Sequence, residues 1–174
     1  MNRNLLATSL LAIAVIAPMS AQASDGTINF AGTLSESTCT ITAPASFTVT
    51  LPTLSTLTLA AAAATAGNTS FSVGLTNCSS LMAGATMYFE AGANVNTTNG
   101  RLNNTGTATN VQIQIRNSDG TVVDASKAST FQGAAAATVA SNAATMRYAA
   151  NYYATGVAGA GSVASAVTYS VVYN

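Results

Sequence analysis

The sequence has no histidine and no tryptophan, and only five Lys/Arg and five Asp/Glu among its 174 residues. Charged residues make up 6%, far below the ~25% of an ordinary soluble domain. Without histidine there is no His-based triad and no His-containing zinc site. Two cysteines cannot build a Cys-rich metal cage, so no metal or other cofactor is expected. Only four cations, Arg101, Arg116, Lys127 and Arg147, follow residue 23, too few for the basic stripe that nucleic acid demands. A Ser–Lys dyad is the one nucleophilic arrangement left, and nothing near Lys127 in the sequence would lower its pKa. No enzyme is expected. Large apolar residues are scarce too: Leu, Ile, Val and Phe supply 29 of the 151 residues after position 23, or 19%. A value that low signals disorder only alongside high net charge, and here the formal net charge is +0. The chain should fold, around a lean core.

Much of what is present is alanine and threonine, 36 and 26 residues respectively. Residues 1–23 read as a secretory signal peptide: Arg3 and the α-amino group, then the 13-residue apolar run Leu5–Ala17, then Pro18. Ala21-Gln22-Ala23 offers the small residues of a cleavage site, placing the cut between Ala23 and Ser24. Read instead as a membrane anchor, the run falls short of the ~20 residues a spanning helix needs. The exported chain is thus expected to be soluble, with no membrane insertion. Export also gives Cys39 and Cys78 a meaning, because an exported pair is most simply one disulfide. Closing a loop of about 40 residues is worth roughly 4 kcal/mol in the chain-entropy model.

Strand signals dominate the rest. Thr27–Ser35 alternates, with Ile28, Phe30, Gly32 and Leu34 on one face. Phe47, Val49 and Leu51 share a face before Pro52, as do Phe71, Val73 and Leu75. Met87 and Phe89 alternate with Tyr88 and Glu90, and Val111–Ile115 reads Val-Gln-Ile-Gln-Ile before an Asn117–Gly120 turn. Val122-Val123 restarts a short strand, and Met146–Thr155 and Val163–Tyr173 complete the set. The alanine runs at 60–64 and 134–137 are short and set among Thr, Gly and Asn, which reads as loops or brief turns. Seven to nine short strands and no amphipathic helix predict an all-β domain. An immunoglobulin-type sandwich fits best; strand count alone does not separate it from a closed barrel.

Both ends carry a recognisable register. Near the start stand Gly26-Thr27-Ile28-Asn29-Phe30-Ala31-Gly32, with Cys39 seven residues on. Near the finish are Tyr148, Tyr152-Tyr153-Ala154-Thr155-Gly156, Gly161 fourteenth from the last residue, and Tyr173 as the penultimate one. With the Cys39/Cys78 spacing, this pattern resembles the chaperone–usher pilins, specifically type 1 fimbrial subunits, across the whole chain after residue 23.

The resemblance implies an incomplete immunoglobulin-like β-sandwich lacking its last strand, completed in trans by a donor strand. It divides the chain into a signal peptide at 1–23, a donor-strand extension at 24–36 and a pilin domain at 37–174. Ile28, Phe30, Gly32 and Leu34 would enter a neighbour's groove, main-chain bonds giving generic pairing and side chains the register. Periodicity alone also allows 27–35 to be the domain's own first strand. Gly161, Val167, Tyr169, Val171, Tyr173 and Asn174 would flank the groove and meet a chaperone's strand, the Asn174 carboxylate held by basic chaperone residues. Implied partners are other copies or sister pilins, a periplasmic chaperone and an outer-membrane usher, with export through the periplasm to a cell-surface fimbrium. The alternative within the family is a minor or tip-associated pilin binding a host ligand. Three smaller signals read as structural. Asn-x-Ser/Thr matches arise by chance in so Asn- and Thr-rich a chain; Asp119 and Asp124 sit by a hairpin tip; alternation sends one ring of Tyr152-Tyr153 inward and the other outward.

Overall fold

The computed structural model describes residues 29–32, 38–42, 44 and 46–174. The chain divides into two compact units, Met1–Leu34 and Ser35–Asn174. The second unit is all-β. Its strands are β1 (Thr40–Ile41), β2 (Thr65–Thr76), β3 (Gly84–Phe89), β4 (Leu102–Asn103), β5 (Val111–Asn117), β6 (Ala137–Thr138), β7 (Ala144–Ala154) and β8 (Tyr169–Tyr173). The helical content among the described residues is two short 3-10 turns, Thr56–Leu59 and Ser129–Phe131.

Two antiparallel sheets form, one in the order β1-β2-β7-β5-β4 and the other β6-β3-β8. The long central pair is β2 and β7, in register from Thr69↔Ala150 to Leu75↔Ala144, with an irregularity between Ala66 and Thr69. Period-two patterning explains the packing. Val73 and Leu75 of β2, Met146 and Tyr148 of β7, Ile115 of β5 and Met87 and Phe89 of β3 are all buried in one core. A smaller cluster of Leu59, Val111, Ala154 and Ala158 closes one end of the sandwich. The other end holds Cys39 and Cys78, joined by a disulfide with Cα atoms 4.1 Å apart. We refer to these as the Leu59 pole and the disulfide pole.

Several expectations shift in detail. Alternation in β5 should leave Gln112 and Gln114 on a wet face, yet both are buried. For Gln112 the reason is the Asn-rich 94–103 segment: its amide donates to Asn103 Oδ1 and accepts from Asn99 Nδ2, at 3.1 and 3.2 Å. Val122-Val123 makes only an isolated bridge, Arg116↔Val122, instead of a strand. Residues 46–51, expected as a strand, run outside both sheets. In Val163–Tyr173 the ladder covers only Tyr169–Tyr173, because β3 reaches no further than Phe89. The alanine run at 60–64 forms a turn into β2 as expected, whereas the run at 134–137, expected as a loop throughout, enters β6 at Ala137, which pairs with Ala85.

Candidate functional site: a groove beside β8

β8 is the edge strand of the smaller sheet and pairs with β3 from Ala85↔Tyr173 to Phe89↔Tyr169. Along residues 163–173 burial alternates strictly: Val163, Ser165, Val167, Tyr169, Val171 and Tyr173 are half-buried and every residue between them is exposed. An inward row of a finished sandwich would be covered. This row is covered only in part, because a groove of about 590 Å³ runs beside it. One wall is Ser165, Val167 and Tyr169; the opposite wall is Phe47, Val49 and Leu51 of the segment that joins neither sheet. The floor is core: Phe71, Met87, Phe89, Ile113 and Ile115. Aromatic contacts run from wall to floor. Phe47 lies 6.0 Å from Phe71, Phe71 6.0 Å from Tyr148, and Tyr148 meets Phe89 edge-on at 5.4 Å.

A second cavity of about 410 Å³ follows at the Leu59 pole, between residues 53–56 and 159–163. Because 46–51 leads into 53–56 and 159–163 leads into 165–169, the two cavities lie between the same pair of chain segments. The pair outlines a track long enough for several alternate side chains of an extended strand. Gly161 sits at this end, and a Cβ there would press on Ala108 N and on Thr107, 2.7 Å from its Oγ1. Glycine is what allows the segment entering β8 to pass so close to residues 107–108.

The other edge of the smaller sheet is sealed. β6 pairs with β3 only at Gly84↔Thr138 and Ala85↔Ala137. Beyond that point side chains continue the ladder. Met87 N donates to Tyr148 Oη at 3.2 Å, and Tyr148 Oη donates to Ala135 O at 2.8 Å. Phe89 N donates to Gln132 Oε1 at 3.0 Å, while Gln132 Nε2 donates to Phe89 O at 2.6 Å. The Gln132 amide thus stands where a peptide unit of a neighbouring strand would, and it is 1% exposed. Burial pushes the Tyr148 hydroxyl above the usual tyrosine range, although its bond from Met87 N works the other way. An edge blocked in this way cannot template another chain.

Of the sequence-predicted residues, Cys39 and Cys78 are bonded, and Cys39 N donates to Tyr173 Oη at 3.3 Å. Val167 and Tyr169 line the groove; Val171 and Tyr173 pack against the main core. Asn174 N and O bond Gly84 O and the Ala83 and Gly84 amides. Phe30 is 92% exposed and Gly32 has open space where a Cβ would stand. Ile28, Leu34, Ala23 and Ser24 lie outside the described residues. Sequence reading did not find Gln132, whose neighbours Phe131 and Gly133 give no periodic signal. It found Phe47, Val49 and Leu51 as a face without recognising a groove wall. Tyr152 and Tyr153 part as alternation requires. Tyr152 Oη donates to Pro52 O at 3.1 Å, while the Arg101 guanidinium stacks 3.5 Å from the Tyr153 ring centre.

Two sheets packed over one core, open along one side between β8 and the 46–51 segment, define an incomplete immunoglobulin-like sandwich. Among solved structures it is similar to the P pilus rod subunit PapA, with a TM-score of 0.59 at 16% identity over 78% of this chain and 99% of that one, a likeness of fold. The major fimbrial subunit SMF-1 of Stenotrophomonas maltophilia (strain K279a) is 42% identical over 171 residues, covering 91% of this chain and 98% of that protein. The F17 fimbrial protein of Escherichia coli is 44% identical over 162 residues, covering 86% and 87%. The type-1 fimbrial protein A family model matches residues 51–174. The chain belongs to the type-1 fimbrial protein family and is a structural subunit of a fimbria.

Proposed function

We propose that the groove beside β8 receives a strand from another copy or a sister pilin, so that the subunit polymerises head to tail by donor-strand exchange, in a structural and not a catalytic role. One observation carries this reading: an inward-facing row from Val163 to Tyr173, apolar but for Ser165, is half covered along an edge whose opposite wall joins no sheet. β-Strand addition is a general recognition mode, and donor-strand complementation between chaperone and pilin is one of its established examples. The donor is the extension at 24–36, with Ile28, Phe30 and Leu34 entering the core and Gly32 crossing a shallow point. Before assembly a periplasmic chaperone lends the strand, and an outer-membrane usher passes subunits to the surface fimbrium after the 1–23 signal peptide is removed. The sealed β3 edge supports the same reading, since it leaves β8 as the side of the smaller sheet open to a partner.

The test is to express the precursor with its chaperone and usher and run surface extracts on a gel with and without boiling. Wild type should give a ladder of detergent-resistant oligomers that collapses on heating. Gly32→Leu and deletion of residues 24–35 should abolish it. Absence of the ladder in wild type, or its survival in the deletion, would overturn the assignment.

A further inference from the structure

The two poles each carry apolar side chains that the folded subunit leaves in water. At the Leu59 pole Leu57 is 82% and Val157 is 68% exposed. They belong to one surface, because Ala158 N bonds Leu59 O at 3.1 Å. At the disulfide pole Leu81 is 78% exposed, three residues beyond Cys78. We infer that successive copies meet pole to pole, Leu57 and Val157 of the strand-receiving copy packing against Leu81 of the strand-donating copy. This rests on the head-to-tail reading above and adds a body-to-body contact to it.

Strand polarity and chain length carry the inference. Every strand pairing in both sheets is antiparallel, so a strand added beside β8 is taken as antiparallel to it. β8 runs toward the disulfide pole, where Asn174 bonds Ala83 and Gly84. The incoming strand therefore travels the other way and leaves the groove at the Leu59 pole. In the donating copy only residues 35–38 separate Leu34 from Cys39, a span of at most about 18 Å when fully extended. Cys39 is bonded to Cys78 at that copy's disulfide pole. A tether that short holds the donor's disulfide pole against the acceptor's Leu59 pole, and the exposed leucines and valine are what the two surfaces present. A short tether also gives the contact a high effective concentration, so a small apolar patch suffices.

Cysteine pairing tests this on assembled fimbriae. Val157→Cys with Leu81→Cys in one chain, treated with copper(II) phenanthroline to take two electrons and two protons from each thiol pair, should give a ladder that survives boiling and collapses with reductant. The cross-linked fraction should exceed that of either single variant by about tenfold, as expected for a tethered pair. A control pair, Val122→Cys with Val157→Cys, should give none. A boiling-sensitive ladder that never becomes boiling-resistant would overturn the pole contact while leaving strand exchange intact; no ladder even in wild type would overturn both. If extra thiols prevent assembly, Leu57→Lys and Leu81→Glu separate the cases. Each alone should make fimbriae more flexible by electron microscopy and the pair should restore stiffness; unchanged curvature in both singles would overturn the contact.

Discussion

Replacing Gln132 with leucine isolates the side-chain extension of the β3 ladder. Leucine fills a similar volume, so little cavity is created and the change is chiefly the loss of the amide. Phe89 N and Phe89 O, in a residue only 2% exposed, then lose the partners that held them at 3.0 and 2.6 Å. A buried polar group left unsatisfied costs about 1–3 kcal/mol, so two cost about 2–6 kcal/mol. Gln132 Nε2 also donates to Lys127 O at 3.0 Å, a part-buried carbonyl that water can reach more easily. For a domain of this size each kcal/mol moves Tm by about 2–4 °C, giving an expected fall of about 4–24 °C. The measurement is a thermal melt of a self-complemented chain, residues 24–36 repeated after Asn174 through a flexible linker, with light scattering recorded alongside. Scattering should rise as well, since the bared edge can pair with another molecule. Tyr148→Phe should fall by less, because Ala135 is exposed and water can serve its carbonyl, which leaves Met87 N as the buried group without a partner. A Gln132→Leu melt within about 2 °C of wild type, without added scattering, would refute the idea that these side chains complete the ladder.

Other outcomes follow from the same geometry. In the self-complemented chain Phe30→Ala in the added strand should cost about 3–5 kcal/mol, read as a lower urea midpoint with the other donor residues unchanged; an unaltered midpoint would remove Phe30 from the groove. Cys39→Ser with Cys78→Ser should cost roughly 4 kcal/mol, measured against the oxidised chain, and reductant should have no further effect on the double variant. Stability should be nearly flat between about pH 5 and 9, since the sequence has no histidine and its two cysteines are held in the disulfide, which leaves no side chain with an ordinary pKa in that window. Above about pH 10 it should fall, because burial raises the Tyr148 pKa and the folded state favours the neutral phenol. In acid it should also fall. The Thr121 hydroxyl lowers Asp119 and the Ser170 hydroxyl lowers Glu90, so their contribution is present above the ordinary carboxylate range and lost as pH drops through the lowered values. Urea midpoints across pH would show a sloping profile instead if buried groups titrated near neutrality.

Where one physical signal dominates, sequence and structure agree. β2, β5 and β7 are long strands whose apolar residues must share a face, so Val73 and Leu75, Ile115, and Met146 and Tyr148 were readable from period two. The disulfide followed from an even cysteine count in an exported chain. Two-residue strands carry no period, which is why β1, β4 and β6 left no trace. Gln112 and Gln132 were unreadable for another reason: their burial is decided by partners outside their own segments, Asn99 and Asn103 for one and Phe89 of β3 for the other. The groove was half legible. Its two walls show as alternating segments around Val49 and Val167, but only the fold reveals that they face each other with no strand between them among the described residues.

The disulfide also decides where a pulling force would travel. Under the proposed linkage through residues 24–36, tension would reach each body at Cys39, beside β1, which holds the sheet by two residue pairs alone. Such a strand would peel early. The bond to Cys78 instead delivers the load to the end of β2, a strand of 12 residues laced to β7 through the centre of the sandwich. Pulling single fimbriae in reductant should therefore lower the force at which a subunit gives way. The crosslink is then a mechanical anchor that carries strain past the weakest strand and into the strongest.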